Sequence, residues 1–77
     1  MTKREFLREL EGELAIPAGS LHEDERLSEL HGWDSLATLI FIALADEKIG
    51  VILSGNQVAE SKTLKELLSL LGDRLSA

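Results

Sequence analysis

Apolar residues recur along most of the chain with the period of an α-helix. Phe6, Leu7, Leu10 and Leu14 fall at i, i+1, i+4 and i+8, one stripe of a helix. Thr2-Lys3-Arg4-Glu5 just before them fits a capping box, in which a hydroxyl and a carboxylate satisfy free backbone N–H groups reciprocally. Glu9, Glu11 and Glu13 lie mainly off the stripe, and Pro17 cannot continue the helix, so it is expected to end near Leu14 or Ala15. A second helix is expected from Asp34 or Ser35 to Ile49, with Gly50 as its left-handed stop. Ser54-Gly55-Asn56-Gln57 starts a short third helix, with Val58 and Ala59 as its apolar contacts. Thr63-Leu64-Lys65-Glu66 is a further capping box, and behind it Leu64, Leu67, Leu68, Leu71 and Leu75 mark the last stripe. No segment alternates like a half-buried strand; Val51-Ile52-Leu53 is too isolated to pair. The expectation is an all-α, four-helix bundle with a long first loop and a short third helix.

That first loop, from Ala15 to Trp33, is unusual in so small a chain, and long loops of this kind are commonly functional or disordered. Leu21, Leu27 and Leu30 are spaced through it and are expected to pin it to the core. Ser20-Leu21-His22-Glu23 offers a capping pattern for a short turn of helix, and Gly32 closes the stretch.

The second helix has two apolar sides. Thr38, Phe41, Ile42, Ala45 and Ile49 form one stripe; Leu36, Leu39, Ile40, Ala43 and Leu44 form another, which meets Glu47. The first carries the aromatic ring and is assigned to the core. Leu36, Ile40 and Ala43 are then exposed beside Ser35, an apolar patch of the kind that marks an interaction surface. The other reading is a central helix buried on every side.

Composition narrows the function. The chain has 77 residues, enough for a single domain over 1–77, and 44% apolar with 29% charged residues is a globular balance. No cysteine is present, which excludes a disulfide framework, a thiolate metal site and a cysteine nucleophile. The formal charge of -6, without a Lys/Arg cluster, argues against nucleic acid as a partner and for basic proteins. The longest strictly apolar run, Leu39 to Ala45, is too short to span a bilayer, and no signal-peptide core follows Met1. A cytoplasmic monomer is expected, with no membrane insertion.

Ser35 stands where the long loop meets the second helix, among unpaired N–H groups and at the positive end of the helix dipole. A phosphodiester on its hydroxyl would meet a favourable field there. The plainer role for Asp34 or Ser35 is helix capping, which both residue types perform routinely.

The run Gly32-Trp33-Asp34-Ser35-Leu36, opening the second helix of a small acidic four-helix chain, resembles that of acyl carrier proteins. The resemblance extends through Ala45-Asp46-Glu47-Lys48-Ile49-Gly50-Val51 and the Thr63-Leu64-Lys65-Glu66-Leu67-Leu68 start of the last helix. It implies that Ser35 receives 4'-phosphopantetheine from coenzyme A through a magnesium-dependent phosphopantetheinyl transferase. The arm's thiol then holds an acyl group as a thioester for the acyl-loading and acyl-transferring enzymes of a pathway. It also implies that Asp34 contributes to transferase docking and that the second helix is the principal recognition element, here through Trp33, Leu36, Ala37, Ile40, Ala43 and Glu47. One departure matters. Carriers of primary fatty-acid synthesis have several carboxylates along this helix, where the chain has Ala37 and Ile40 and acid only at Asp46 and Glu47. A dedicated lipid, polyketide or other specialised pathway is the expectation, with aminoacyl or peptidyl cargo as the alternative.

Other readings remain beside this one. Asp34, Ser35, His22 and His31 suggest a serine hydrolase, but no G-x-S-x-G elbow is present, and adjacent Asp34 and Ser35 leave no room for a relaying histidine. A metal site from His22, Glu23, Asp24 and His31 lacks any recognised ligand spacing. Trp33 is either a plug where the loop meets the second helix or a surface aromatic beside the arm. An unmodified helical adaptor would use the same apolar face and would need no hydroxyl at position 35.

Overall fold

Thr2 begins the first helix as the sequence requires. Its hydroxyl accepts the Glu5 N–H at 3.1 Å while the Glu5 carboxylate accepts the Thr2 N–H at 2.8 Å. The computed structural model describes residues 1–30 and 33–76. The loop-closing role of Gly32 and the metal-ligand reading of His31 fall outside those residues. The helices are α1 (Lys3–Glu13), α2 (Ser35–Leu44), α3 (Gly55–Glu60) and α4 (Leu64–Ser69). Short 3₁₀ turns lie at Leu27–Glu29 and Gly72–Arg74. Among the described residues there is no strand, only the isolated bridges Thr2–Ser76 and Arg26–Thr63. None of these helices is long and apolar enough to cross a membrane.

α1 ends in a Schellman motif built on an alanine. The Ile16 N–H donates to the Glu11 carbonyl at 3.0 Å and the Ala15 N–H to the Gly12 carbonyl at 3.1 Å, with Ala15 left-handed at φ 58°. Pro17 follows and prevents continuation. The helix buries Phe6 and Leu10, as its stripe predicts, but also Glu11, which that stripe leaves out. The buried carboxylate accepts the Gly19 N–H at 3.0 Å and the Leu21 N–H at 2.9 Å, and Arg8 Nε lies 3.8 Å away. It satisfies loop amides that would otherwise be orphaned against the core.

Leu21 and Leu27 are buried and Leu30 half-buried, so the expected leucine pins hold. The helical turn does not follow Ser20, however. Glu25 draws His22–Glu25 into a turn by accepting the His22 N–H at 3.1 Å, and the 3₁₀ turn comes later. Backbone bonds from Leu27 to Lys62 (2.9 Å), Leu64 to Glu25 (3.0 Å) and Lys65 to Glu23 (2.8 Å) fasten the loop to the start of α4.

α2 starts at Ser35 and continues through a π-helical turn, Ala45–Ile49, to Gly50, left-handed at φ 78° as expected. Its core face differs from the expected one. Phe41 is buried, but with Ala37, Leu44 and Ala45, while Thr38, Ile42 and Ile49 are only half-buried. On a wheel at about 100° per residue the helix is turned by roughly 80° from the expected setting. Ser35–Leu44 carries no charge, so polarity could not orient it; small Ala37 and Ala45 face the core and let neighbouring elements approach closely.

α3 and α4 begin with the expected capping boxes, Ser54 with Gln57 and Thr63 with Glu66. Val58 is buried whereas Ala59 is exposed. α4 stops earlier than its leucine stripe, and Gly72 at φ 59° turns the chain, yet Leu71 and Leu75 still reach the core. Phe6 and Phe41 meet edge to face at its centre, centroids 5.6 Å apart.

Candidate functional site

Asp34 is extended, at φ -128°, and its Oδ1 accepts the Ala37 N–H at 3.0 Å. Its carbonyl accepts the Thr38 N–H at 3.0 Å. These two bonds set Ser35 as the first helical residue of α2, exposed, at the end where helix N–H groups lack intrahelical partners and the dipole is positive. The cap differs from those of α1, α3 and α4. There a Glu or Gln three residues on reaches back to the cap; here that position is Ala37. No side-chain acid is therefore folded over the first turn of α2 from that position.

The other serines are differently engaged. The hydroxyls of Ser20, Ser61, Ser69 and Ser76 donate to the backbone carbonyls of Pro17, Gln57, Glu66 and Met1. That of Ser54 accepts the Gln57 N–H as a cap. Ser28 is exposed, but on a 3₁₀ turn of three residues with little dipole behind it.

Trp33 is half-buried against the core, its backbone N–H donating to the Leu30 carbonyl at 3.3 Å. The plug reading thus describes much of the ring, with an accessible remainder. Beyond Ser35, Leu36 is 63% and Leu39 62% exposed, and Ala43 and Glu47 are exposed on the same side. Ile40 is half-buried, flanking a small recess shared with Glu13, Ala43, Leu44 and Glu47. Ala37 does not belong to this surface. It is 2% exposed, because the wheel setting of α2 turns it, with Leu44, into the core. Leu39 was not among the recognition residues expected, although its place three residues after Leu36 marked it. Glu11, which organises the approach to the site, was missed because its partners Gly19 and Leu21 are distant in sequence.

Residues 4–71 match the family model described as a phosphopantetheine attachment site. The chain belongs to this family. No curated protein and no solved structure matches it. Membership makes the chain a phosphopantetheine carrier, with 4'-phosphopantetheine attached covalently to a serine. The donor set fits the group. A carrier serine must expose its hydroxyl to another enzyme and place a phosphodiester in a tolerant field, and an exposed residue at the first turn of the ten-residue α2 does both.

Proposed function

We propose that the carrier bears its phosphopantetheine on Ser35 and ferries acyl intermediates for a dedicated biosynthetic pathway in the cytoplasm. The observation that carries this reading is the exposed Ser35 at the start of a helix that lacks the acidic back-bond of a capping box. A phosphopantetheinyl transferase would join Ser35 Oγ to the pantetheine phosphate of coenzyme A. A pyrophosphate P–O bond breaks, adenosine 3',5'-bisphosphate leaves, and the hydroxyl proton passes to a base on the transferase. Asp34 positions Ser35 by capping α2, and on this reading its exposed carboxylate also meets the transferase. When bound, the group supplies a thiol that holds cargo as a thioester. The protein contributes the tether's root, raising the effective concentration of cargo at successive active sites.

Pathway enzymes would meet Trp33, Leu36, Leu39, Ile40, Ala43 and Glu47. The uncharged α2 favours partners that present an apolar groove over the broad service of a carboxylate-lined helix.

Intact mass after incubation with coenzyme A, magnesium and a broad-specificity transferase tests the assignment. One added phosphopantetheine on the wild type and none on Ser35→Ala is expected. Addition to Ser35→Ala would place the group elsewhere. No addition to either, with a control carrier loading normally, would mean that the carrier needs a transferase specific to it.

A further inference from the structure

The chain has eight Lys and Arg residues and no cluster of them in sequence, yet the fold gathers four in one place. Lys3, Arg4 and Arg8 of α1 and Lys65 of α4 line a single open cleft of about 700 Å³. Leu7 and Leu21 supply its apolar surface. In a chain of net charge -6, such a gathering runs against the average field.

The cleft is held together by bonds between its parts. The Lys65 backbone N–H donates to the Glu23 carbonyl at 2.8 Å, which fastens the start of α4 to the long loop. The Leu21 N–H donates to Glu11 Oε2 at 2.9 Å, which fastens the same loop to α1.

Most of the acid in the cleft is already engaged. Glu11 is buried and holds the Gly19 and Leu21 amides, and Glu23 lies 3.7 Å from Lys3 Nζ. The cations are engaged less. Arg8 approaches Glu11 only through Nε, at 3.8 Å, and 56% of its side chain is exposed. Arg4 and Lys65 are exposed and make no ion pair among the described residues. Three open cations therefore face one open carboxylate, the exposed Asp24.

We propose that this cleft docks an acidic segment of a partner protein, as a second contact apart from α2. Arg4 and Arg8 stand one turn apart, about 6 Å along the helix axis. Alternate residues of an extended chain are about 6.6 Å apart, so carboxylates at alternate positions meet both arginines. Lys65, on a second element, takes a further one. Cations set along a helix and beside it match a row of carboxylates better than a single small anion. The cleft shares no residue with Trp33, Leu36, Leu39, Ile40, Ala43 or Glu47, so a partner held here leaves Ser35 and the outward face of α2 free. The inference does not depend on where the phosphopantetheine is attached.

The probe is a synthetic decapeptide of alternating glutamate and serine, titrated into the full chain while backbone amide shifts are followed. A decapeptide of alternating glutamine and serine is the uncharged control. Saturable shifts at Leu7, Arg8, Leu21 and Lys65 are expected with the glutamate peptide alone, and equally in Ser35→Ala. The double variant Arg4→Gln, Lys65→Gln removes two exposed cations and should weaken binding about threefold or more. Arg8 is left in place because it borders the buried Glu11. The double variant Arg26→Gln, Lys62→Gln removes the same charge from a different recess and should bind as the wild type does. Equal weakening in the two double variants would reduce the effect to net charge and overturn the proposal. No shifts at millimolar glutamate peptide, or shifts centred on Arg26 and Lys62, would overturn it as well. Loss of phosphopantetheine loading in Ser35→Ala with peptide binding intact would keep the two assignments separate.

Discussion

The Glu11 carboxylate, 2% exposed, accepts the Leu21 backbone N–H at 2.9 Å across the gap between α1 and the long loop. The same carboxylate takes the Gly19 N–H at 3.0 Å. Truncation to alanine leaves both amides without their acceptor, and bonds to charged groups are worth about 1.5–3 kcal/mol each. Glu11→Ala is expected to lower unfolding free energy by about 2–4 kcal/mol in urea titration. Glu11→Gln retains one acceptor oxygen and should lose roughly half as much. A loss below about 0.5 kcal/mol for alanine would show that the carboxylate does not hold the loop.

Ala15 sits at φ 58°, a conformation that costs an L-residue about 1–2 kcal/mol relative to glycine. Glycine's greater freedom in the unfolded chain offsets part of the gain. Ala15→Gly should therefore stabilise the fold by about 0.5 kcal/mol in the same titration. Gly12, inside α1 with open space around a built Cβ, should gain from the opposite change, Gly12→Ala, by about 0.5–1 kcal/mol.

Helix starts were readable because their caps are local: Thr2 with Glu5, Ser54 with Gln57 and Thr63 with Glu66 each sit within one turn. The start of α2 at Ser35, capped by Asp34, was legible for the same reason. The rotation of α2 was not, because Ser35–Leu44 has no charge to mark a solvent side, so Ala37 looked as free as Leu36. The role of Glu11 was also hidden. An acidic residue on a helix reads as solvated until the loop that needs it is folded back over it.

Asp34 has a capping role that can be separated from partner docking. Asp34→Ala should cost about 1 kcal/mol of stability and loosen the first turn of α2, slowing modification of Ser35. Asp34→Asn keeps the acceptor and should preserve stability. If Asp34→Asn modifies as slowly as Asp34→Ala while remaining as stable as wild type, the carboxylate charge itself is recognised by the transferase. Mass spectrometry over a time course distinguishes the two.

Two capping carboxyls give the fold an acid dependence. The Thr2 backbone N–H and hydroxyl hold Glu5 below its ordinary value of 4.5, and the backbone N–H groups of Lys62 and Thr63 do the same for Glu66. Each carboxyl is more acidic folded than unfolded. Its stabilisation is present above the unfolded pKa and is lost as pH falls through the folded one. The thermal midpoint should decline as pH drops below 4.5, and the double variant Glu5→Gln, Glu66→Gln should show a shallower decline. An unchanged acid slope in the double variant would assign the dependence to other carboxyls.

The outward face of α2 makes the sharpest distinction between fold and recognition. Leu36 and Leu39 are mostly solvent-exposed, so Leu36→Ala and Leu39→Ala should each change stability by no more than about 0.5 kcal/mol. If cognate enzymes grip this face through an apolar groove, the same substitutions should raise the KM for the carrier about tenfold when they remove an anchor worth 1–2 kcal/mol. If the uncharged stretch Ser35–Leu44 carries the contact, this affinity should change little between low and high salt, whereas a face steered by opposite charges weakens as salt screens it. Measuring loading by the cognate enzyme across an ionic-strength series separates the alternatives. A steep loss with salt, undiminished in Leu36→Ala, would shift the weight of recognition from Leu36 and Leu39 to the charges of Asp46 and Glu47. A flat salt profile, with loading sensitive to Leu36 and Leu39, would establish a carrier read by shape and apolar contact beside its modified serine.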